Sequence, residues 1–210
     1  RLNTARQSLM GHKTTHFYDR PMHFERAAGP WLYATDGRRY LDCYNNVPQV
    51  GHCHPHVVRA ISRQAAVLNT NTRYLYSGAI EYADRLTRKL APHLTACVFV
   101  NSGSEANDVA WQMAKLVTGK TGAIIMEDAY HGVTDVIRQF SPGRPDAALP
   151  AFLKGLIVPD PYRGPYREDD ADCVAKYVAD ADRCVSELQE SGHGVAAFMI
   201  DSAFCSSGVP

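Results

Sequence analysis

Hydrophobic and polar positions along the chain change period several times, and each change predicts an element. Trp31-Leu32-Tyr33-Ala34 and Arg39-Tyr40-Leu41-Asp42 flank Thr35-Asp36-Gly37, which predicts a β-hairpin from Trp31 to Tyr44. Residues 1–30 show no sustained period and read as irregular. Asn45 to His56 is rich in turn residues, and Pro55 suits the first turn of a helix carrying Val57, Val58, Ile61, Ala65 and Leu68 on one side. After a polar loop over 69–78, Ile80, Ala83, Leu86 and Leu90 recur at helical spacing, with Pro92 just past the end. Beyond that point the pattern alternates. Apolar runs predict strands over 96–100, 122–127, 154–158 and 195–200, and helical periods predict helices over 104–118, 130–138 and 170–190. Composition marks 141–150 and 159–169 as loops. Strand–helix alternation of this kind predicts an α/β protein with a mainly parallel sheet and flanking helices.

Composition narrows the function classes. The 210 residues carry 22 basic and 22 acidic side chains, so the formal net charge is zero. Nothing in that balance draws the chain to nucleic acid or to an anionic membrane. No apolar run reaches the length of a transmembrane helix, and Arg1-Leu2-Asn3-Thr4 opens no apolar signal segment. The six cysteines are scattered without a Cys-x-x-Cys pair, which fits reduced thiols and a cytoplasmic location. The absence of an initiator Met and the stop at Ser207-Gly208-Val209-Pro210 read as cut ends.

Candidate chemistry sits where apolar runs end. Val98-Phe99-Val100 runs into Asn101-Ser102-Gly103-Ser104-Glu105-Ala106-Asn107, a small-residue turn followed by helix formers. A helix start of this type aims backbone N–H groups and a dipole at one spot, which suits a phosphate held by Gly103 and Ser104. The same residues also read as an ordinary serine cap with Glu105 in the first turn. Tyr130-His131-Gly132 follows the next apolar run; an aromatic ring there can stack on a flat heterocycle, or it can be a core tyrosine beside a satisfied histidine. His52, His54, His56 and Cys53 match no common zinc spacing, so no metal site is expected. Asp201 ends the last apolar run, where a carboxylate faces the ligand crevice of an open α/β sheet or caps a loop.

Taken together, these segments resemble the class III, fold type I aminotransferases that use pyridoxal phosphate (PLP), the ornithine/omega-aminotransferase family. The Trp31–Asn46 stretch is similar to the family's D-G-x-x-Y-L-D hairpin. Gly51-His52-Cys53-His54-Pro55-His56-Val57 is similar to its G-H-x-H-P-x-V signature. Asn101–Asn107 resembles its phosphate loop, and Tyr130-His131-Gly132 its cofactor-stacking segment.

The resemblance implies an N-terminal small lobe over 1–75 and the first part of a PLP-transferase-type large domain over 76–210. It implies that Gly103 and Ser104 hold the PLP phosphate, that Tyr130 stacks on the pyridine ring with His131 beside it, and that Asp201 lies near the cofactor. Asn45, Asn46 and Val47 match the region lining the substrate entrance. It further implies transfer of an amino group from an amine or amino acid to a keto acid, in a homodimer. The family usually reads Glu-Pro and then a Gly-rich turn where this chain has Asp201-Ser202 and Phe204-Cys205-Ser206-Ser207-Gly208. That Ser-rich turn is more similar to the phospholyase branch, which eliminates phosphate from amino-alcohol phosphates. None of Lys13, Lys89, Lys115, Lys120, Lys154 or Lys176 matches the family's lysine context. The Schiff-base lysine, and the aspartate that pairs with the pyridine nitrogen, are therefore expected beyond Pro210, and these residues alone are expected to be inactive. A catalytically inert module of a larger protein is the reading from a different class.

Overall fold

The computed structural model describes residues 1–10, 18–44, 48–143 and 148–210. They fall into two units, Arg1–Ile80 and Glu81–Pro210.

In the first unit, helix α1 (Leu2–Met10) buries none of its residues. Strands β1 (Phe24–Ala28), β2 (Trp31–Ala34) and β3 (Arg39–Leu41) form an antiparallel sheet in that order. The hairpin turn closes on Gly37, at φ 86°, with Arg38 paired to Asp36 at 2.6 Å. The expectation that residues 1–30 are irregular is corrected by α1 and β1. Phe24-Glu25-Arg26-Ala27-Ala28 carries no clean alternation, so its strand state comes from pairing with β2, in a register that shifts between Phe24 and Arg26.

The Gly51-His52-Cys53-His54-Pro55 turn has a physical account. Gly29 and His52 exchange both backbone hydrogen bonds, at 3.0 and 2.8 Å. Gly51 sits at φ 83°, and a Cβ there would lie 2.9 Å from the Gly29 Cα, so only glycine allows this approach. His52 Nε2 meets the Asp42 carboxylate at 2.8 Å, and that hydrogen bond holds the Asp42 pKa below the usual carboxylate range. Pro55 then opens α2 (Pro55–Ala65), where its missing N–H costs nothing. Helix α3 follows over Ser77–Thr87.

The second unit contains α4 (Gly103–Thr118), β4 (Gly122–Met126), β5 (Leu153–Leu156), α5 (Cys173–Glu190) and β6 (Val195–Met199). The three strands form a parallel sheet in the order β5-β4-β6. β4 is buried at every position, which explains its unbroken apolar run. Its side chains divide by the two-residue period of a strand. Ala123 and Ile125 pack with Trp111 of α4, Ile137, Phe140 and Leu153, whereas Ile124 and Met126 pack with Ala129, Leu156 and the α5 residues Cys184 and Leu188. Helices thus cover both faces of the central strand. Each fully buried aliphatic or aromatic side chain here contributes about 1.5–3 kcal/mol of transfer free energy. Asp180 of α5, 8% exposed, accepts the Ile157 N–H at 2.9 Å and pairs with Arg183 at 2.6 Å, fixing α5 to the end of β5.

Two expectations are corrected in this unit. Residues 96–100 form no strand: no described residue pairs with their backbone, and Val98, Phe99 and Val100 stay exposed, with the Phe99 ring stacked on Tyr82. A β-strand exists only through a hydrogen-bonded neighbour, and apolar alternation cannot supply one. Residues 130–138 form no helix. Gly132 sits at φ 144°, outside the helical region, and only Ile137–Phe140 makes a short 3-10 turn. Among the described residues no helix is long and apolar enough to cross a membrane.

Candidate functional site

The site is built at the N-terminus of α4. Ser102 is extended (φ −152°, ψ 160°) and its Oγ accepts the Glu105 N–H at 3.2 Å. The Glu105 carboxylate returns to accept the Asn101 N–H at 2.7 Å. This reciprocal arrangement is related to a capping box and holds the turn rigid. Gly119, at φ 67°, closes the far end of the helix. The cap leaves the N–H groups of Gly103 and Ser104 without a partner among the described residues. Nothing lies within 4 Å of a Cβ built on Gly103, so there is open space beside the first residue of the helix.

The Tyr130-His131-Gly132 loop lies against this helix start. The Val133 N–H donates to Ser104 Oγ at 3.1 Å, and Asn107 Nδ2 donates to the His131 carbonyl at 2.7 Å. From the other side, Ser141 Oγ accepts the N–H of His131 at 2.8 Å and of Gly132 at 3.1 Å. The loop is therefore held by side chains rather than by a helix. It presents Tyr130 with its surface 63% exposed and buries His131 to 8% exposure. His131 Nε2 is buried without a hydrogen-bond partner, and burial pushes the imidazole below its ordinary pKa, against a weaker opposing pull from Asp201. Burial thus favours the neutral ring, and Nε2 keeps one hydrogen bond unfilled.

The structure thus brings Gly103, Ser104, Tyr130 and His131 into one place. Asp201 is differently engaged. Its carboxylate accepts the N–H groups of Ala203 at 3.0 Å and Cys205 at 2.7 Å, and those bonds hold its pKa low. It caps its own turn, and its charge is felt at His131. In the same Ser-rich turn, Ser207 Oγ donates to Asp128 at 2.7 Å. Asn45, Asn46 and Val47 lie outside the described residues; their flanks are joined by the Asp42–His52 contact. Sequence reading gave no role to Asn107 or Ser141. Nothing in the chain marks a serine nine residues past Gly132 as its partner, since loop composition hides tertiary contacts.

Open N–H donors at a helix N-terminus, a hydroxyl beside them, an exposed aromatic face and an unfilled imidazole nitrogen suit a phosphorylated aromatic cofactor. Comparison with known sequences identifies the family. The profile described as aminotransferase class-III matches residues 13–209. The chain belongs to the class III aminotransferases. Enzymes of this class use pyridoxal phosphate. The chain is 39% identical to an alanine–glyoxylate aminotransferase 2-like protein of Drosophila melanogaster, over 87% of this chain and 38% of that protein. It is 34% identical to ethanolamine-phosphate phospho-lyase homolog 1 of Caenorhabditis elegans, over 94% of this chain and 45% of that one. Among solved structures, a phospholyase from Arthrobacter in complex with phosphoethanolamine superimposes with a TM-score of 0.89 at 36% identity, covering 97% of this chain and 48% of the other. The chain therefore spans less than half the length of these relatives.

Proposed function

We propose that this chain supplies the phosphate cradle and one ring wall of a PLP site, in an enzyme that transfers an amino group from an amine or amino acid to a keto acid. The observation that carries this reading is the pair of unfilled N–H donors of Gly103 and Ser104, set beside the braced Tyr130-His131-Gly132 loop. Gly103 and Ser104 bind the phosphate through their N–H groups. Ser104 Oγ accepts from Val133 and keeps its own hydrogen to donate to a phosphate oxygen. Tyr130 orients the ring. His131 stays neutral and offers Nε2 for one further hydrogen bond. Bound PLP supplies the electron sink for bond cleavage beside the substrate nitrogen. The lysine and the ring-nitrogen aspartate come from sequence following these residues in the whole protein, and the assembly is a homodimer located in the cytoplasm.

A second reading is phosphate elimination from an amino-alcohol phosphate. It is supported by the likeness to the Arthrobacter phospholyase and by the Ser-rich turn over 205–208 in place of a Gly-rich one. The test uses full-length protein loaded with PLP. Consumption of a primary amine or amino acid that requires an added keto acid supports transamination. Release of inorganic phosphate from ethanolamine phosphate without a keto acid supports elimination. Full-length protein that binds no PLP is an inert module, and both readings fail.

A further inference from the structure

We propose that Ser141 is a positioning residue for the cofactor ring wall; this rests on the PLP reading above. A hydroxyl has one hydrogen to donate and two lone pairs to accept with. Ser141 Oγ uses all of them. It accepts the N–H of His131 at 2.8 Å and of Gly132 at 3.1 Å, and it is within donating distance of the Gly132 carbonyl at 3.0 Å and the Ile137 carbonyl at 3.3 Å. The two N–H groups it receives are consecutive, so the side chain fixes both the Tyr130–His131 and the His131–Gly132 peptide planes and, with the first of them, the direction in which the chain leaves Tyr130. A helix would have offered these groups regular partners; the glycine at φ 144° removes that option and makes the loop depend on this hydroxyl.

Ser141 also reaches the site from behind. It follows the 3-10 turn Ile137–Phe140, whose Ile137 and Phe140 are fully buried against Trp111 of α4. The Trp111 and Phe140 rings meet edge to face at 5.2 Å between centroids. The same helix that opens at Gly103 therefore anchors, through Trp111 and Phe140, the serine that holds the ring wall. Phosphate cradle and ring wall share one rigid frame, and Ser141 is the polar link between them. No direct contact of Ser141 with cofactor or substrate is part of the role.

The test uses full-length protein and the variants Ser141→Ala, Ser141→Thr and Ser141→Cys, with PLP as the probe. PLP affinity is measured by equilibrium dialysis, and the orientation of bound PLP by the circular dichroism of its visible band per cofactor bound. Asp180→Ala serves as a control that loosens the same unit without touching the loop. Ser141→Ala is expected to weaken PLP binding about tenfold, the loss of one to two hydrogen bonds, and to reduce the induced dichroism. Ser141→Thr is expected to restore both, and Asp180→Ala to leave the dichroism unchanged. Affinity within twofold of wild type together with unaltered dichroism in Ser141→Ala overturns the role. If Ser141→Ala does not fold, Ser141→Cys keeps the side-chain connectivity, slightly larger, with a far weaker acceptor, and the same two results decide. Wild-type protein that binds no PLP overturns the functional reading itself, whereas wild-type binding with an indifferent Ser141→Ala overturns the positioning role alone.

Discussion

A Cβ placed on Gly132 would lie 2.6 Å from Ser104 Oγ and 2.9 Å from Ser104 Cα. The ring-wall loop and the helix start that bears the phosphate donors touch at the one residue without a side chain. Two demands meet there, since Gly132 also holds φ at 144°, where L side chains are strained. Gly132→Ala must push the loop off α4 or twist it. Its expected cost is about 1–3 kcal/mol in unfolding free energy. Weaker PLP binding by the full-length protein should accompany it. Urea unfolding and cofactor titration of the same variant check both parts.

Asp180 is buried on α5 and serves the end of β5. Removing its carboxylate by Asp180→Ala leaves the Ile157 N–H without its acceptor and Arg183 without one of its two carboxylates. A buried donor left unsatisfied costs about 1–3 kcal/mol. Asp180→Asn keeps an acceptor for Ile157 and should recover part of that loss. Chemical denaturation of the two variants beside wild type measures the difference. PLP affinity is expected to stay within a factor of about two, because the site is built on the other side of β4.

His131 sets a pH dependence whose sign follows from its lowered pKa. Above the ordinary imidazole value of about 6.5, the ring is neutral in both folded and unfolded chains and contributes no slope. As pH falls below that value, the unfolded chain takes up a proton that the buried ring refuses, so stability falls with pH. The loss is complete once pH passes the lowered folded value. Urea midpoints between pH 8 and pH 5 should therefore decline less steeply in His131→Gln than in wild type. Equal slopes in the two proteins would show that His131 is not buried in its neutral form.

Much of this fold could be read from the chain because particular residues carry two signals at once. β4 was legible as an apolar run because both faces of the strand are covered, and α5 as a helix because its 18 residues repeat one face. The Trp31–Tyr44 hairpin carried both its strand pattern and its Asp36-Gly37 turn. Residues 96–100 have an equally apolar pattern and form no strand, since the deciding quantity is a partner, and a partner is not a local property. The reverse holds for β1, whose charged Glu25 and Arg26 hide a strand that β2 imposes. At the site, Ser102-Gly103-Ser104 was legible because caps and anion cradles use the same few residue types. Tyr130-His131-Gly132 was legible as a candidate but read as the start of a helix. Its actual conformation depends on Ser104, Asn107 and Ser141, contacts 9 to 29 residues away in sequence that no local period records.

The phosphate cradle at α4 can be tested by removing one atom group and leaving the helix intact. Gly103 is the first residue of α4, the position where proline is best tolerated. Ser102 before it is already extended, at φ −152° and ψ 160°, as a residue preceding proline should be. The space around Gly103 is open. Gly103→Pro therefore deletes one N–H donor and sets the ring's Cδ where its hydrogen pointed, so both changes act against a phosphate there. In full-length protein titrated with PLP, the predicted result is a loss of about tenfold or more in affinity, the worth of a hydrogen bond to a charged oxygen, with the thermal midpoint of the cofactor-free protein unchanged or raised. Wild-type affinity in Gly103→Pro would contradict phosphate binding at this helix terminus.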